Sequence, residues 1–336
     1  MNSKQKRKNY IKYISLILLI LIYIILSLFY KTDNVLNNIF NEEEKLIYDN
    51  IGIDINKLNI IYLNVGQADS TLITMGDDVM LIDAGDKSDG KYIVEFVKAQ
   101  GIKDIDYLIE THSDDDHSGG VKTIVQNLDV AKIYMPQNAI SKSEIKDISK
   151  INVFSDLEQT YSLGQAEWKV LCVDNSEEVD ETEDNDTSIV IQLTYENNKF
   201  LFMGDATSKV EKQLLNDSKL EKIDVLKVGH HGSSSSSGAK FLEVILPTYS
   251  IISVNNAEYN KHPSENTIER LNAINSKIYR TDVNGTIWVT SDGTTIEIKE
   301  LDINMNGANK SAILLEDRKY SLIFYCNVFP SLSTTV

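Results

Sequence analysis

Short apolar strands and amphipathic helices alternate along this sequence in two similar halves, and that alternation limits the fold more than any other feature. In the first half LNIIYLNV (58–65), STLITM (70–75) and VMLIDAG (79–85) read as strands separated by turns. KYIVEFVKAQGI (91–102) then reads as a helix closed by Gly101, IDYLIET (105–111) as a strand, GGVKTIVQNL (119–128) as a helix and AKIYMP (131–136) as a strand. In the second half WKVLCV, SIVIQLTY, KFLFMGD, DVLKVGH and YSIISV are strands, with helices at 208–217, 239–246 and 265–276. IYRTD, GTIWVT and TIEIKE finish that half as strands. Two mixed halves of this kind predict two sheets packed face to face with helices outside.

The amino terminus has a different character. Residues 13–30 are 18 uncharged, mostly apolar residues, the length of a membrane-spanning helix. Five basic residues precede them, so the spacing predicts a cytoplasmic tail at 1–12, a single-pass cell-membrane anchor at 13–30 and an extracellular remainder. A cleaved signal peptide is the rival reading, but its apolar core is shorter and ends at a small-x-small site, which the flank Ser27-Leu28-Phe29-Tyr30-Lys31 does not offer. Residues 31–57 read as a polar linker with one short helix near 42–49, residues 58–300 as the folded domain, and 301–336 as an extension without clear pattern. The formal charge is −17, and because the first 31 residues carry six basic groups and no acid, the rest carries −23. A broad basic surface for nucleic acid is therefore excluded. Two distant cysteines, Cys172 and Cys326, exclude a disulfide scaffold and a four-cysteine zinc module, and leave a single disulfide open.

The chemistry concentrates at strand ends. His112-Ser113-Asp114-Asp115-Asp116-His117 follows a buried-looking strand and precedes Gly119-Gly120 and a helix. Carboxylates this crowded repel one another unless a cation neutralises them, and neutral imidazole with carboxylate is the donor set of zinc and manganese. A solvated acidic turn is the bland alternative. Two further segments weigh against it: Gly204-Asp205 ends one apolar strand, and Gly229-His230-His231-Gly232-Ser233 ends another. Four of the five histidines fall in these motifs, and the fifth, His262, lies in the loop Lys261-His262-Pro263-Ser264.

Together these segments resemble the metallo-β-lactamase-fold hydrolases, and in particular the carboxy-terminal domain of ComEC-type competence proteins. That branch is marked by D-V-G-Q-G-D-S, L-I-D-A/T-G, T-H-x-D-x-D-H, G-D and K-V-x-H-H-G-S. Here the counterparts are Asn64 to Ser70, Leu81 to Gly85, Thr111 to His117, Gly204-Asp205 and Lys227 to Ser233, spanning roughly 58–300. Asn64 for Asp and Ala68 for Gly depart from the pattern in the first turn, and no multi-helix transport region accompanies the motifs. The resemblance implies an α/β (α+β) fold, a four-layer αββα sandwich, with two divalent ions, zinc or manganese, at one edge of the sheets. It implies His112 and Asp114 on one metal, with Asn185 as third ligand, and Asp116, His117 and His230 on the other. Asp205 would bridge the two, and Asp83 would orient a ligand histidine. Asp115 falls out of register and is expected in solvent. His231 and Ser233 are expected beside a substrate oxygen, with local backbone capping the alternative for both, and His262 is a candidate proton donor to the leaving group, with a plain loop histidine the alternative.

The function this implies is hydrolysis of a phosphodiester by hydroxide generated at the two metals. No G-x-S-x-G nucleophile motif is present. DNA and a cell-surface phosphodiester such as phosphocholine or teichoic acid both stay open as substrate; the acidity of the chain counts against DNA. An inactive binding module of the same fold is the alternative from a different class. A lactamase fits less well, because that chemistry carries H-x-H-x-D-H. The membrane through 13–30 is the expected partner surface, and no protein partner is implied.

Overall fold

The computed structural model describes residues 50–302, apart from 147, 155–156, 158, 177–180 and 256–260. The basic tail, the apolar span 13–30, the linker as far as residue 49 and residues 303–336 lie outside the described residues. Among the described residues no helix is long and apolar enough to cross a membrane.

Two sheets form the domain. The chain first lays down β1 (Leu58–Tyr62), β2 (Thr71–Met75), β3 (Asp78–Ile82), β4 (Asp104–Ile109), β5 (Asp129–Tyr134) and β6 (Ile151–Asn152). It then builds the second sheet from β7 (Thr160–Leu163), β8 (Ala166–Cys172), β9 (Val190–Tyr195), β10 (Asn198–Phe202), β11 (Val225–Lys227), β12 (Tyr249–Ile252) and β13 (Lys277–Arg280). The last hairpin, β14 (Thr286–Ser291) and β15 (Ile296–Leu301), returns to the first sheet, whose order is β15-β14-β1-β2-β3-β4-β5-β6. The sequence reading had left this hairpin in the second half. Its place follows from pairing: β14 runs antiparallel to β1 from Leu58↔Ser291 to Tyr62↔Ile287, so β1 is not a bare edge.

Alternation along the strands sets the layers. Leu58, Ile60 and Tyr62 of β1 face the same core as Phe200 and Phe202 of β10 and Trp168 of β8, so this core lies between the two sheets. Leu201 of β10 and Leu226 of β11 point the other way, into a second core with Val210, Leu214, Phe241, Leu242 and Leu271 from the helices Ser208–Asn216, Ala239–Ile245 and Glu265–Ala273. On the first sheet, helices Gly90–Ala99 and Val121–Asn127 are the crossovers that join parallel β3, β4 and β5. Parallel strands end together, so β3, β4, β10, β11 and β12 deliver the residues that follow them to one edge of each sheet.

Candidate metal centre

Asp83 follows β3 in the left-handed region (φ 60) with its carboxylate buried. It accepts the Thr111 N–H at 2.8 Å and the Thr111 hydroxyl at 2.9 Å. His117 Nδ1 donates to its Oδ2 at 2.9 Å. These bonds offset the strained backbone and fix the ring, leaving Nε2 3.2 Å from Asp205 Oδ1. Asp83 thus sits where the sequence reading put it, behind a histidine.

The loop after β4 supplies the other groups. His112 is fully buried, with Nδ1 3.2 Å from Thr111 Oγ1 and Nε2 3.4 Å from Asp114 Oδ2. Asp114 caps a helical turn, Asp115–Ser118, and its carbonyl accepts from the N–H groups of His117 and Ser118. That turn swings Asp115 into solvent while Asp116 and His117 face inward. Asp205 follows Gly204 at the end of β10, and its N–H donates to Ser188 Oγ. Gly204 has φ +53, and a Cβ there would meet the Thr111 side chain at 3.0 Å, so any other residue would be both strained and crowded between the two loops.

The structure places the ring of His231 inward and that of His230 at the rim, opposite to the positions expected for a ligand and its neighbour. His230 and His231 both have positive φ (49 and 50), and this left-handed pair carries the second ring inward. His231 is buried; its Nδ1 donates to the Ser253 carbonyl at 2.9 Å, and its Nε2 lies 3.1 Å from Asp116 Oδ2 and 3.7 Å from Asp205 Oδ2. His230, the expected ligand, is partly exposed at the rim with Nε2 3.8 Å from Asp205 Oδ2. Its ring stands 5.4 Å from that of His262, which therefore shares the rim. Ser233 Oγ faces Ser235 Oγ at 2.9 Å and its carbonyl accepts from Thr267, so Ser233 braces its own loop instead of facing the carboxylates.

The cluster fits metal ions by its unmet hydrogen-bonding capacity. His112 Nε2 and Asn185 Oδ1 are buried without a hydrogen bond, and His117 Nε2 and Asp205 Oδ1 have only each other, at 3.2 Å. Such orphans are costly in a protein interior and are satisfied at once by a cation. Possible ligand atoms of His112, His117 and Asp205 lie within 4.8 Å of one another, as do those of Asp116, His117 and His231. Charge acts in the same direction. Burial opposes ionisation of Asp205, but His117 and His231 outweigh it and hold the carboxyl well below its ordinary range. Burial likewise opposes ionisation of Asp116, and the hydrogen bond from His231 with the neighbouring imidazoles brings it to about 2. Behind the centre Glu110 is buried without a partner, and burial pushes its carboxyl up to about 8, so it is uncharged at neutral pH.

A second network holds the loops, and sequence reasoning missed it. Asp184, beside Asn185, accepts from Ser113 Oγ at 2.5 Å, Lys142 Nζ at 2.7 Å and Asn138 Nδ2 at 2.7 Å. It ties the metal loop to the turn Glu181–Thr187 and to the helix Gln137–Lys142. Asp184→Ala leaves the buried Asn138 amide short of its acceptor and is expected to cost about 1–3 kcal/mol of stability. It is also expected to weaken metal binding about tenfold, through looser Ser113 and Asn185. Thermal melts and metal titration of the variant check both figures; an unchanged titration would mean the latch serves the fold alone. Asp69 and Lys227 were missed as well, although both stand in the quoted motifs.

Residues 63–150 and 177–254 match the model of the metallo-beta-lactamase superfamily. ComE operon protein 3 of Bacillus subtilis (strain 168) is 30% identical over 206 residues, 59% of this chain and 26% of that protein. Recombination protein 2 of Haemophilus influenzae is 30% identical over 243 residues, 71% of this chain and 29% of that protein. The chain thus spans under a third of these relatives' length. Among solved structures, the metallo-beta-lactamase fold protein YhfI from Bacillus subtilis aligns over 66% of this chain and 95% of its own, with a TM-score of 0.44 at 11% identity.

Proposed function

We propose, from the premise that residues 63–150 and 177–254 belong to the metallo-beta-lactamase superfamily, that this chain is a metal-dependent phosphodiesterase. The observation that carries the reading is the buried convergence of ligand atoms of His112, His117 and Asp205 within 4.8 Å of one another, with His112 Nε2 and Asn185 Oδ1 lacking any hydrogen bond. In this reading His112, Asp114 and Asn185 would hold one divalent ion, Asp116, His117 and His231 a second, and Asp205 would be a ligand shared by the centre. The ions supply Lewis acidity to a phosphoryl group and lower the pKa of water there. The protein's own groups do the rest. Asp83 and the Ser253 carbonyl fix the two inner rings by their Nδ1 atoms, which leaves each Nε2 for a metal. Burial, the largest cause, lowers His230 and His262 below their ordinary value, so both are neutral at pH 7. Neutral imidazoles at the rim donate N–H hydrogen bonds to phosphoryl oxygens; in this reading His262 holds the leaving oxygen by such a bond, and the proton that oxygen takes up comes from water.

The charge around the metal loop bears on the substrate. A cavity of about 530 Å³ against this loop is lined by Lys87, Lys122 and Lys142, but also by Asp86, Glu110, Asp115 and Glu144. Glu144 is bonded to both Lys87 and Lys122. Lysines already paired release few counterions from a duplex, which favours a single-stranded or cell-surface phosphodiester over duplex DNA. The name of the Haemophilus relative points to recombination and keeps DNA in view. We extend the reading to a chain anchored through residues 13–30 with its catalytic domain outside the cell.

The full chain, stripped with chelator and reloaded with manganese or zinc, is assayed on bis(4-nitrophenyl) phosphate, single-stranded DNA, duplex DNA and a glycerol phosphate polymer. Turnover is expected to vanish on stripping and return with metal. Undiminished activity without metal refutes the mechanism; a metal-loaded chain inert on all four substrates indicates a binding module.

A further inference from the structure

We propose that Asp69 and Lys227 form one positioning unit for a metal held by Asp116 and His231. The inference rests on the metal reading above and extends it to two residues outside the ligand set.

Asp69 lies in the turn before β2, and Lys227 ends β11, 158 residues later and in the other sheet. Lys227 Nζ donates to Asp69 Oδ2 at 2.6 Å, with both side chains buried. A buried ion pair contributes little to stability by itself, because desolvation cancels most of the attraction. Its worth lies in what it places. The Asp69 N–H donates to the Asp116 carbonyl at 3.0 Å, and the Asp69 carbonyl accepts from the Gly85 N–H at 2.8 Å. The turn therefore clamps the backbone of Asp116 against the end of β3. The other carboxylate oxygen, Asp69 Oδ1, makes no hydrogen bond and lies 3.8 Å from His231 Nδ1. Lys227 stands four residues before His231, and its ammonium also donates to the Val228 carbonyl at 3.2 Å, within the segment that turns His231 inward.

Both ends of the unit thus meet ligands of one metal, Asp116 from the first sheet and His231 from the second. Among the described residues no hydrogen bond or ion pair joins Asp69 or Lys227 to His112 or Asp114. Charge gives a second reason. Asp69, Asp83, Asp114, Asp116 and Asp205 crowd the centre, and Lys227 places its ammonium against the buried Asp69 carboxylate. Without it the inner wall would hold an uncompensated buried carboxylate directly behind His231. A unit that acted only on folding would affect both metals alike; a positioning unit distinguishes them.

The test uses the full chain, metal-free, titrated with manganese and with cobalt in a calorimeter, and followed by the visible absorption of bound cobalt. Asp69→Asn keeps the backbone clamp and removes the charge. Lys227→Met keeps the stem. The double variant leaves no buried charge unpaired, so it stays folded even where a single change does not. The expected result is a loss of about 10- to 100-fold in affinity for one of the two metals, with the other unchanged, and an altered cobalt spectrum. The double variant is expected to lose no more than the worse single, because the two residues act together. Folded variants that bind both metals as tightly as wild type, with the same spectrum, overturn the proposal, and so does an equal loss at both. A wild-type chain that takes up no metal overturns the reading beneath it and this proposal with it; wild type with two metals and unaffected variants overturns this proposal alone.

Discussion

Asp205→Ala and His231→Ala are each expected to bind at least one metal fewer per chain and to lose at least about 10³-fold in kcat/KM, beyond the 10–100-fold of a partner in the outer layer. His230→Ala is expected to keep its metals and lose about 10²-fold, the scale of a lost proton-transfer or hydrogen-bonding group. The contrast follows from geometry. Asp205 faces His117, His230 and His231 at 3.2, 3.8 and 3.7 Å, so its carboxylate is common to both halves of the centre. His231 is buried with Nδ1 committed to Ser253, which directs its Nε2 to Asp116. His230 has 24% of its side chain in solvent and a ring neighbour in His262, so it stands at the open rim of the centre. Metal content by atomic absorption, with steady-state kinetics, separates the cases. If His230→Ala loses metal and His231→Ala does not, the inward ring has been misassigned and the original sequence reading stands. Asp115→Ala is the control, and its exposed side chain predicts no change in either measurement.

Much of this arrangement was legible in the sequence because polar residues abruptly ended apolar runs. Asp83, His112 and Asp205 each follow a run that has no other reason to stop in a charge, and parallel strands gather such ends at one edge. The identity of the inward histidine was not legible. His230 and His231 are adjacent and chemically identical, and only the left-handed backbone at both decides which ring is buried. Histidine tolerates positive φ better than most residues, but that preference applies equally to both and does not say which ring turns inward. Asp69 and Lys227 escaped for a different reason: each looks like a surface charge within its own motif, and their pairing exists only once β2 and β11 are brought together across the sheets. The hairpin β14–β15 was recognised as two strands, but its sheet was not, since its alternation fits either one. The pairing with β1 is a property of the closed fold.

Metal uptake by the stripped chain is expected to release protons, and its apparent affinity is expected to rise steeply with pH up to about 9. Burial, the largest single influence on His231, pulls its pKa down, but the charge of Asp205 and the hydrogen bond with Asp116 outweigh it and raise the ring to about 9. At His117 burial is again opposed and exceeded, by Asp205 and Asp83, and the ring ends well above 6.5. Without metal both imidazoles are therefore protonated at pH 7 and stand in for the missing cations. A metal needs them neutral, so each displaced proton makes the apparent affinity rise about tenfold per pH unit. The sign for stability is opposite in the metal-free chain. A histidine whose folded pKa is raised stabilises fully below its unfolded value of 6.5 and loses that contribution as pH rises through about 9. Asp116, lowered to about 2, contributes above 3.8 and loses its contribution as pH falls toward 2. The stripped chain is thus expected to melt highest between these limits and lower at pH 9.5 than at pH 6.5, roughly from the windows just given. The loaded chain is expected to hold its melting temperature through the same alkaline range, because the metals replace the protons that are lost. Calorimetry in buffers of different ionisation enthalpy counts the protons directly. Uptake at pH 7 without proton release would show that the inner histidines are neutral before metal arrives, and that the carboxylates around them are held apart by something other than imidazolium charge.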